Sequence, residues 1–328
     1  MEQVRVSVII PAYNSHRTLV ESVEGIYRQT AYVQVMDIII VDSSDNPDAL
    51  EQINELKKRE KVRVFTSGVR VMPAIQRNLG AAHSQADLLC FLDSDAYPAE
   101  NWIERAIEVY RSGIKVGGGS YKLPPFQEKT KIAIAQYYLQ FNEYLDAGKN
   151  KIKKLVPSCN LFCDRKLFLE VGGFPEIRAS EDTLFGLKVS QTSTMYFIPG
   201  MPVYHIFREE KDSYYRNQEV LGKYIFIYRK MVYNSFYYRG VMPYLFYPFF
   251  AFFKIMRILM RVRMAGRKHF IRLLPAMGLF MRGMKYWRKG FLQGVKDYDR
   301  EVAIFRKENQ VEMPRVVVAP DPVAQTQN

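Results

Sequence analysis

The chain has 328 residues, 48% hydrophobic and 25% charged, which supplies one large or two modest cores and excludes a disordered or low-complexity protein. Three cysteines are too few for a disulfide-built fold: Cys90 sits in an apolar run, and Cys159 and Cys163 have no matching Cys or His pair for zinc, so small apolar fillers in a reducing compartment are expected. The formal charge of +13 is concentrated, because fifteen Lys or Arg and no Asp or Glu lie between Arg229 and Lys296, and such a balance points to nucleic acid or an anionic membrane.

The amino terminus runs directly into an apolar segment with no charged stretch and long apolar stretch before it, so no signal peptide is expected. Up to residue 95, apolar runs at 6–10, 36–41, 62–65 and 87–92 alternate with helical patterns at 16–29, 47–59 and 73–84. This order predicts an α/β, Rossmann-like fold with a mainly parallel central sheet and helices on both faces. Pro47 and Pro73 suit the first turns of their helices. A helix over 98–111 and a strand over 114–118 follow. Between 124 and 208 the pattern gives a helix over 129–145, another from Glu181, and strands near 195–198 and 203–207, read as the second half of the same domain.

Asp93-Ser94-Asp95 stands directly after the apolar run Leu88-Leu89-Cys90-Phe91-Leu92, so two carboxylates emerge where a buried strand leaves its sheet. Hard cations such as Mg²⁺ or Mn²⁺ take such oxygen ligands and leave other positions to phosphates and water. Taken alone, the motif also fits an ordinary turn or helix cap.

From Tyr214 the composition turns aromatic, Met-rich and basic. The uncharged run 241–253 is shorter than the roughly 20 residues a spanning helix needs, and Lys254, Arg257, Arg261 and Arg263 follow at once. A second apolar segment, 269–284, is broken by Pro275 and flanked by basic residues. A shallow or re-entrant insertion fits the first and a helix lying in the headgroup region the second, at an anionic cytoplasmic leaflet, peripheral or monotopic; the plainer alternative is a core helix pair with snorkelling Lys and Arg. The segment from Met313, rich in Pro, Gln and Asn, reads as a tail.

Taken in order, Val8-Ile9-Ile10-Pro11-Ala12-Tyr13-Asn14, Ile40-Val41-Asp42-Ser43-Ser44-Asp45, Arg77-Asn78-Leu79-Gly80 and Phe91-Leu92-Asp93-Ser94-Asp95 resemble the family 2 glycosyltransferases of GT-A fold. Asn160, Phe168, Val171-Gly172-Gly173-Phe174 and Ser180-Glu181-Asp182 resemble the acceptor-side signature of that family. The resemblance covers roughly 4–210 and implies a donor half (1–120) and an acceptor half (121–210), followed by the helical membrane-associating region (211–300) and an extension (301–328).

What the resemblance implies is specific. Pro11, Ala12, Tyr13, Asn14 and Asp42 would bind the nucleotide, with exposed backbone groups and the Tyr ring meeting the base. Ser43 departs from the family pattern, which has a second acid there, so the nucleotide stays open. Asp45 is read as a turn and cap residue ahead of Pro47. Arg77 would fork onto a phosphate or a base carbonyl. Asp93 and Ser94 would meet the donor, Asp95 would ligate a divalent cation (Mg or Mn), and His205 would complete the metal site or be structural. Asp182 would be the general base of an inverting transfer with Glu181 beside it, although a helix-capping pair has the same sequence. Asn160, Gly172 and Gly173 would contact the acceptor.

A Gln-x-x-Arg-Trp motif, the mark of processive members, does not follow Asp182. The expectation is an enzyme that adds one sugar from a nucleotide-sugar donor to a lipid-linked or growing glycan acceptor at the cytoplasmic membrane face. The alternatives are an inactive nucleotide-sugar-binding or scaffold protein of the same fold, and a nucleic-acid binder, for which no motif is present.

Overall fold

The alternating runs form the expected strands and helices in the computed structural model of the protein, which describes residues 3–146, 148–233 and 235–309. The first part runs β1 (Val6–Ala12), α1 (Leu19–Tyr27), β2 (Val35–Asp42), α2 (Pro47–Leu56), β3 (Val62–Thr66), α3 (Pro73–His83) and β4 (Leu88–Leu92). Every residue of β1 and β4 is buried, as continuous apolar strands covered on both faces must be. Pro47 opens α2, and the cap is Asn46, whose side chain accepts from the Asp48 and Ala49 amides. Asp45, expected as a cap, instead turns toward Asn14 and Tyr13.

The chain continues through β5 (Ala96–Pro98), α4 (Trp102–Arg111), β6 (Val116–Lys122), α5 (Lys131–Phe141), β7 (Lys151–Lys153), β8 (Asn160–Asp164), α6 (Arg165–Glu170), α7 (Glu181–Val189) and β9 (Met195–His205). The sheet order is β3-β2-β1-β4-β8-β6-β9-β5, with β7 also on β9. The first four strands are parallel, and β8 enters antiparallel between β4 and β6, so the sheet is mixed beyond the donor half.

Two expectations change here. The helix over 98–111 begins only at Trp102, because Ala96, Tyr97 and Pro98 pair with Val203, Tyr204 and His205 and the rings of Tyr97 and Tyr204 stack at 5.0 Å. The strands at 195–198 and 203–207 are one strand, β9, held along its length by β6 and at its ends by β7 and β5.

The last part is helical: α8 (Lys211–Tyr233), α9 (Met242–Ala265), α10 (Arg267–Leu273) and α11 (Met277–Asn309). Alpha-8 and α11 cross at backbone contact, since a Cβ on Gly222 would meet the Trp287 carbonyl and one on Gly290 the Glu219 carbonyl. Phe226, Phe280 and Phe291 are fully buried in a cluster that also takes in Tyr137 and Tyr138 of α5 and Tyr121 and Phe197 of the sheet. Each such ring contributes about 1.5–3 kcal/mol by burial. The helices therefore share a core with the acceptor half, and the change of composition near 211 marks a change of surface rather than a break in packing.

The extension expected from 301 is also corrected. Alpha-11 runs on to Asn309, and Lys223 of α8 binds Asp297 at 2.7 Å and Glu301 at 2.8 Å. The tail from Met313 lies outside the described residues. Among the described residues no helix is long and apolar enough to cross a membrane. Helix α9 does leave one stripe of its surface open: Leu245, Phe249, Phe252, Met256, Met260 and Met264, spaced three or four apart, are all exposed.

Candidate active site

Strands β1 and β2 end side by side, with Ala12 opposite Asp42. Pro11 and Ala12 are buried, and the Ala12 carbonyl accepts from the Ser43 amide and the Gln76 side chain. The end of β1 is thereby fixed against β2 and α3. Tyr13 and Asn14, just beyond β1, are half-buried. Asn14 takes a left-handed backbone conformation (φ 50°), its side-chain oxygen accepts from the Asp45 and Asn46 amides, and its amide donates to Asp45 at 2.7 Å. The guanidinium of Arg70 lies 4.3 Å from the centre of the Tyr13 ring. Asp42 is buried at its strand end and accepts from Ser44 Oγ at 2.5 Å.

The loop after β1 also reaches the acidic turn after β4, where Ser15 and Ser94 hydroxyls lie 2.8 Å apart. Asp93 and Asp95 are partly exposed there, side chains 27% and 38% accessible, as ligand-facing groups must be. Arg77, on α3, reaches the same turn from below. Its Nη2 donates to Asp93 Oδ1 at 2.5 Å and its Nη1 to Glu181 Oε1 at 3.1 Å, with the side chain only 3% accessible. Burial opposes the Arg77 charge, but Asp93 and then Glu181 outweigh it and raise its pKa. Arg77 is thus a buried tie between Asp93 and Glu181.

Glu181 and Asp182 open α7, preceded by Ser180 at φ 74°, a strained conformation for a residue with a Cβ. Burial raises the pKa of Glu181; Asp182 raises it further, and Arg77 works the other way. Burial likewise raises Asp182, against the Thr183 amide, which donates to its Oδ1 at 2.7 Å. Two acids pushed toward neutrality at one helix start suit a group that takes up a proton.

His205 ends β9 opposite Ala96, which places its Nε2 3.6 Å from Asp95 Oδ1. The ring is buried between Phe141 and Phe207, and its Nδ1 has no hydrogen-bond partner among the described residues. Asp93, Cys159 and His205 also offer ligand atoms within 4.8 Å of one another. Of these donors Asp95 and His205 fit a hard cation better. Their separation is that of neighbouring ligands on one ion with bonds of about 2.1 Å, whereas Asp93 is tied to Arg77, and burial, then Asp93, pushes the Cys159 thiol well up.

Asn160, Gly172 and Gly173 all have partners inside the fold. Asn160 is fully buried: its amide donates to the Ser120 and Met201 carbonyls at 2.9 and 3.0 Å, and its oxygen accepts from Trp102 Nε1 at 2.8 Å. It pins β6, β8, β9 and α4 together. Gly172 and Gly173 take φ of 71° and 59°, their carbonyls accept from Lys188 Nζ, and a Cβ on Gly173 would run into the Asn78 side chain. This turn docks α6 against α3 and does not line the cleft.

A cavity of about 490 Å³ is lined by Arg77, Asp93, Asp95, Glu181, Asp182 and His205 together. The same cavity is walled by Arg229 of α8 and by Lys254, Arg257 and Arg261 of α9, cations that the sequence did not connect with the acidic site. The available signal was their freedom from acidic neighbours in sequence, and it could not indicate direction.

Residues 7–171 match the family model described as glycosyl transferase family 2, and the chain belongs to that family. It is 23% identical over 172 residues to glycosyltransferase AglE of Haloferax volcanii, covering 52% of this chain and 56% of that protein. It is 25% identical over 109 residues to a Methanococcus voltae dolichyl N-acetyl-alpha-D-glucosaminyl phosphate 3-beta-D-2,3-diacetamido-2,3-dideoxy-beta-D-glucuronosyltransferase, covering 32% of this chain and 34% of that one. The chain thus spans about half the length of the first and a third of the second. The mannosyltransferase PcManGT of Pyrobaculum calidifontis, solved in complex with GDP-Man and Mn2+, superposes with a TM-score of 0.53 at 18% identity over 93% of this chain and 87% of that chain, which establishes the GT-A fold.

Proposed function

We propose that the protein is an inverting hexosyltransferase that moves one sugar from a nucleoside-diphosphate donor to a hydroxyl of a lipid-linked or growing glycan acceptor, at the cytoplasmic face of a membrane. The observation that carries this reading is the single cleft in which Asp93 and Asp95 face Glu181 and Asp182. Asp182 takes the acceptor proton as the hydroxyl oxygen attacks the anomeric carbon, and the bond from that carbon to the diphosphate oxygen breaks on the opposite face. Its raised pKa makes it a stronger base than an ordinary carboxylate. Tyr13, Asn14 and Asp42 hold the nucleoside from the ends of β1 and β2, and Asp93, with Arg77 keeping it in place, meets the sugar or ribose.

Asp95 and His205 would hold a divalent cation, which when bound neutralises charge on the departing diphosphate. The M. voltae relative is named for a dolichyl-linked sugar phosphate, which supports a lipid-linked acceptor here. The exposed apolar stripe of α9 supports a membrane surface as the place of action.

The test is a donor screen: full chain in neutral detergent with Mn²⁺ or Mg²⁺, a panel of UDP-, GDP- and dTDP-sugars, and membrane lipid extract as acceptor. Nucleoside diphosphate release from one donor, lost in Asp182→Asn and Asp95→Ala, is expected. Donor binding without release under every condition would replace the transferase reading by that of a binding protein.

A further inference from the structure

Seven residues line both the catalytic cleft and a second cavity of about 800 Å³ that runs along α9. Four of them are the cations Arg229, Lys254, Arg257 and Arg261. Glu143 is the one acid among the shared residues, and it is already bound to Arg261 at 2.6 Å and to Lys153 at 3.1 Å. Among the described residues no ion pair engages Arg229, Lys254 or Arg257, although Lys254 Nζ sits 4.0 Å from the centre of the Trp287 ring. Burial, with Arg229 and Arg257 adding to it, pulls the Lys254 pKa down to about 7. Cations gathered in a concave wall attract a multivalent anion. Beyond them the groove changes character, with Phe253, Met256, Met260 and Met264 forming an exposed apolar wall that opens on the surface.

We propose that this groove binds the lipid phosphate or diphosphate of a lipid-linked glycan acceptor, the phosphate on Arg229, Lys254, Arg257 and Arg261 and the chain along Phe253, Met256, Met260 and Met264, with the glycan hydroxyl toward Asp182. The proposal rests on the transferase reading and deepens it. The cations direct the head into the cleft that holds Asp182, and the Met-rich wall adapts to a flexible chain. The exposed stripe of α9 is then shared, with Met256, Met260 and Met264 on the substrate chain and Leu245, Phe249 and Phe252 left for a membrane.

The test uses the full chain in neutral detergent and the fluorescence of Trp287, which lines both cavities, while Trp102 is fully buried in the sheet layer. Farnesyl diphosphate is expected to bind at least about tenfold more tightly than farnesol or inorganic pyrophosphate, and Lys254→Ala/Arg257→Ala to remove that advantage. Met260→Glu, at an exposed wall position, is expected to weaken farnesyl diphosphate and leave pyrophosphate unchanged. Equal binding of pyrophosphate would reduce the cluster to a free-phosphate site, equal binding of farnesol would remove the role of the cations, and equal competition by phosphatidylglycerol would make the groove a bulk lipid contact; each overturns the proposal. Loss of nucleoside diphosphate binding in the double variant would assign the cations to the donor and overturn it too. Donor turnover is read separately: no release from any donor is failure of the transferase reading, whereas release without lipid phosphate binding is failure of this one.

Discussion

Arg77 and Glu181 stand 104 positions apart and meet at 3.1 Å, and the same guanidinium holds Asp93. One buried cation therefore couples the acidic turn on the donor side to the acidic helix start on the acceptor side. Without it, Asp93 and Glu181 would lose the cation they share, and Asp182 a charge that opposes its raised pKa.

Replacing Arg77 is expected to be costly for that reason. Arg77→Ala should lose about 3–5 kcal/mol of stability, as when one partner of a buried pair is removed. Arg77→Lys should recover only part of this, because a single ammonium does not reproduce the fork to two carboxylates. Denaturant unfolding of both variants checks the order.

Asp182→Asn should lower turnover by about 10²–10⁴-fold with donor affinity retained, which a comparison of kcat with nucleotide binding would test. Wild-type turnover should rise with pH through a transition above the usual carboxylate range, since the base works only when ionised and burial raises its pKa.

The same shift has a stability sign. A carboxyl whose folded pKa is raised costs nothing below its ordinary value, and the cost grows as pH rises through the raised one. Asp182→Asn should therefore melt above wild type at about pH 8, with the difference vanishing near about pH 4. A lower melting temperature for the variant at the higher pH would contradict the assigned direction.

Chelation should abolish turnover that Mn²⁺ or Mg²⁺ restores, and His205→Ala should raise the metal concentration needed for half-maximal rate. His205 lies 3.6 Å from Asp95, so an effect on folding alone, with the metal titration unmoved, would mark the ring as structural.

Asn160→Ala should act on stability rather than on acceptor affinity. It strips partners from Trp102 Nε1 and from the Ser120 and Met201 carbonyls, at a cost of about 3 kcal/mol. Thermal melting against acceptor KM separates the two effects.

Binding to anionic vesicles should fall when the α9 stripe is broken by Phe249→Asp/Phe252→Asp, and it should weaken with salt for wild type. Co-sedimentation at two ionic strengths reads both.

The donor half was legible because its signals are local. Runs such as 88–92 can only be buried strands, and the acids that follow them must emerge at the sheet's edge, so Asp42, Asp93 and Asp95 stand where their neighbours in sequence put them. Helix starts were legible too: Pro47, Pro73 and the pair Glu181 and Asp182 open helices as their chemistry requires. What composition could not provide was direction. The basic segment after Arg229 reads the same whether its cations face lipid, solvent or a cleft, and only the packing of α8 and α9 on α5 and α11 turned four of them toward Asp182. Nor could sequence tell that Arg77 is consumed by Glu181, that Asn160 is a buried pin, or that Asp95 meets His205. Strand and helix formation follow from the periodicity of neighbouring residues, whereas a side chain's partner depends on which distant segment the hydrophobic core presses against it, and that is settled only when the whole chain packs.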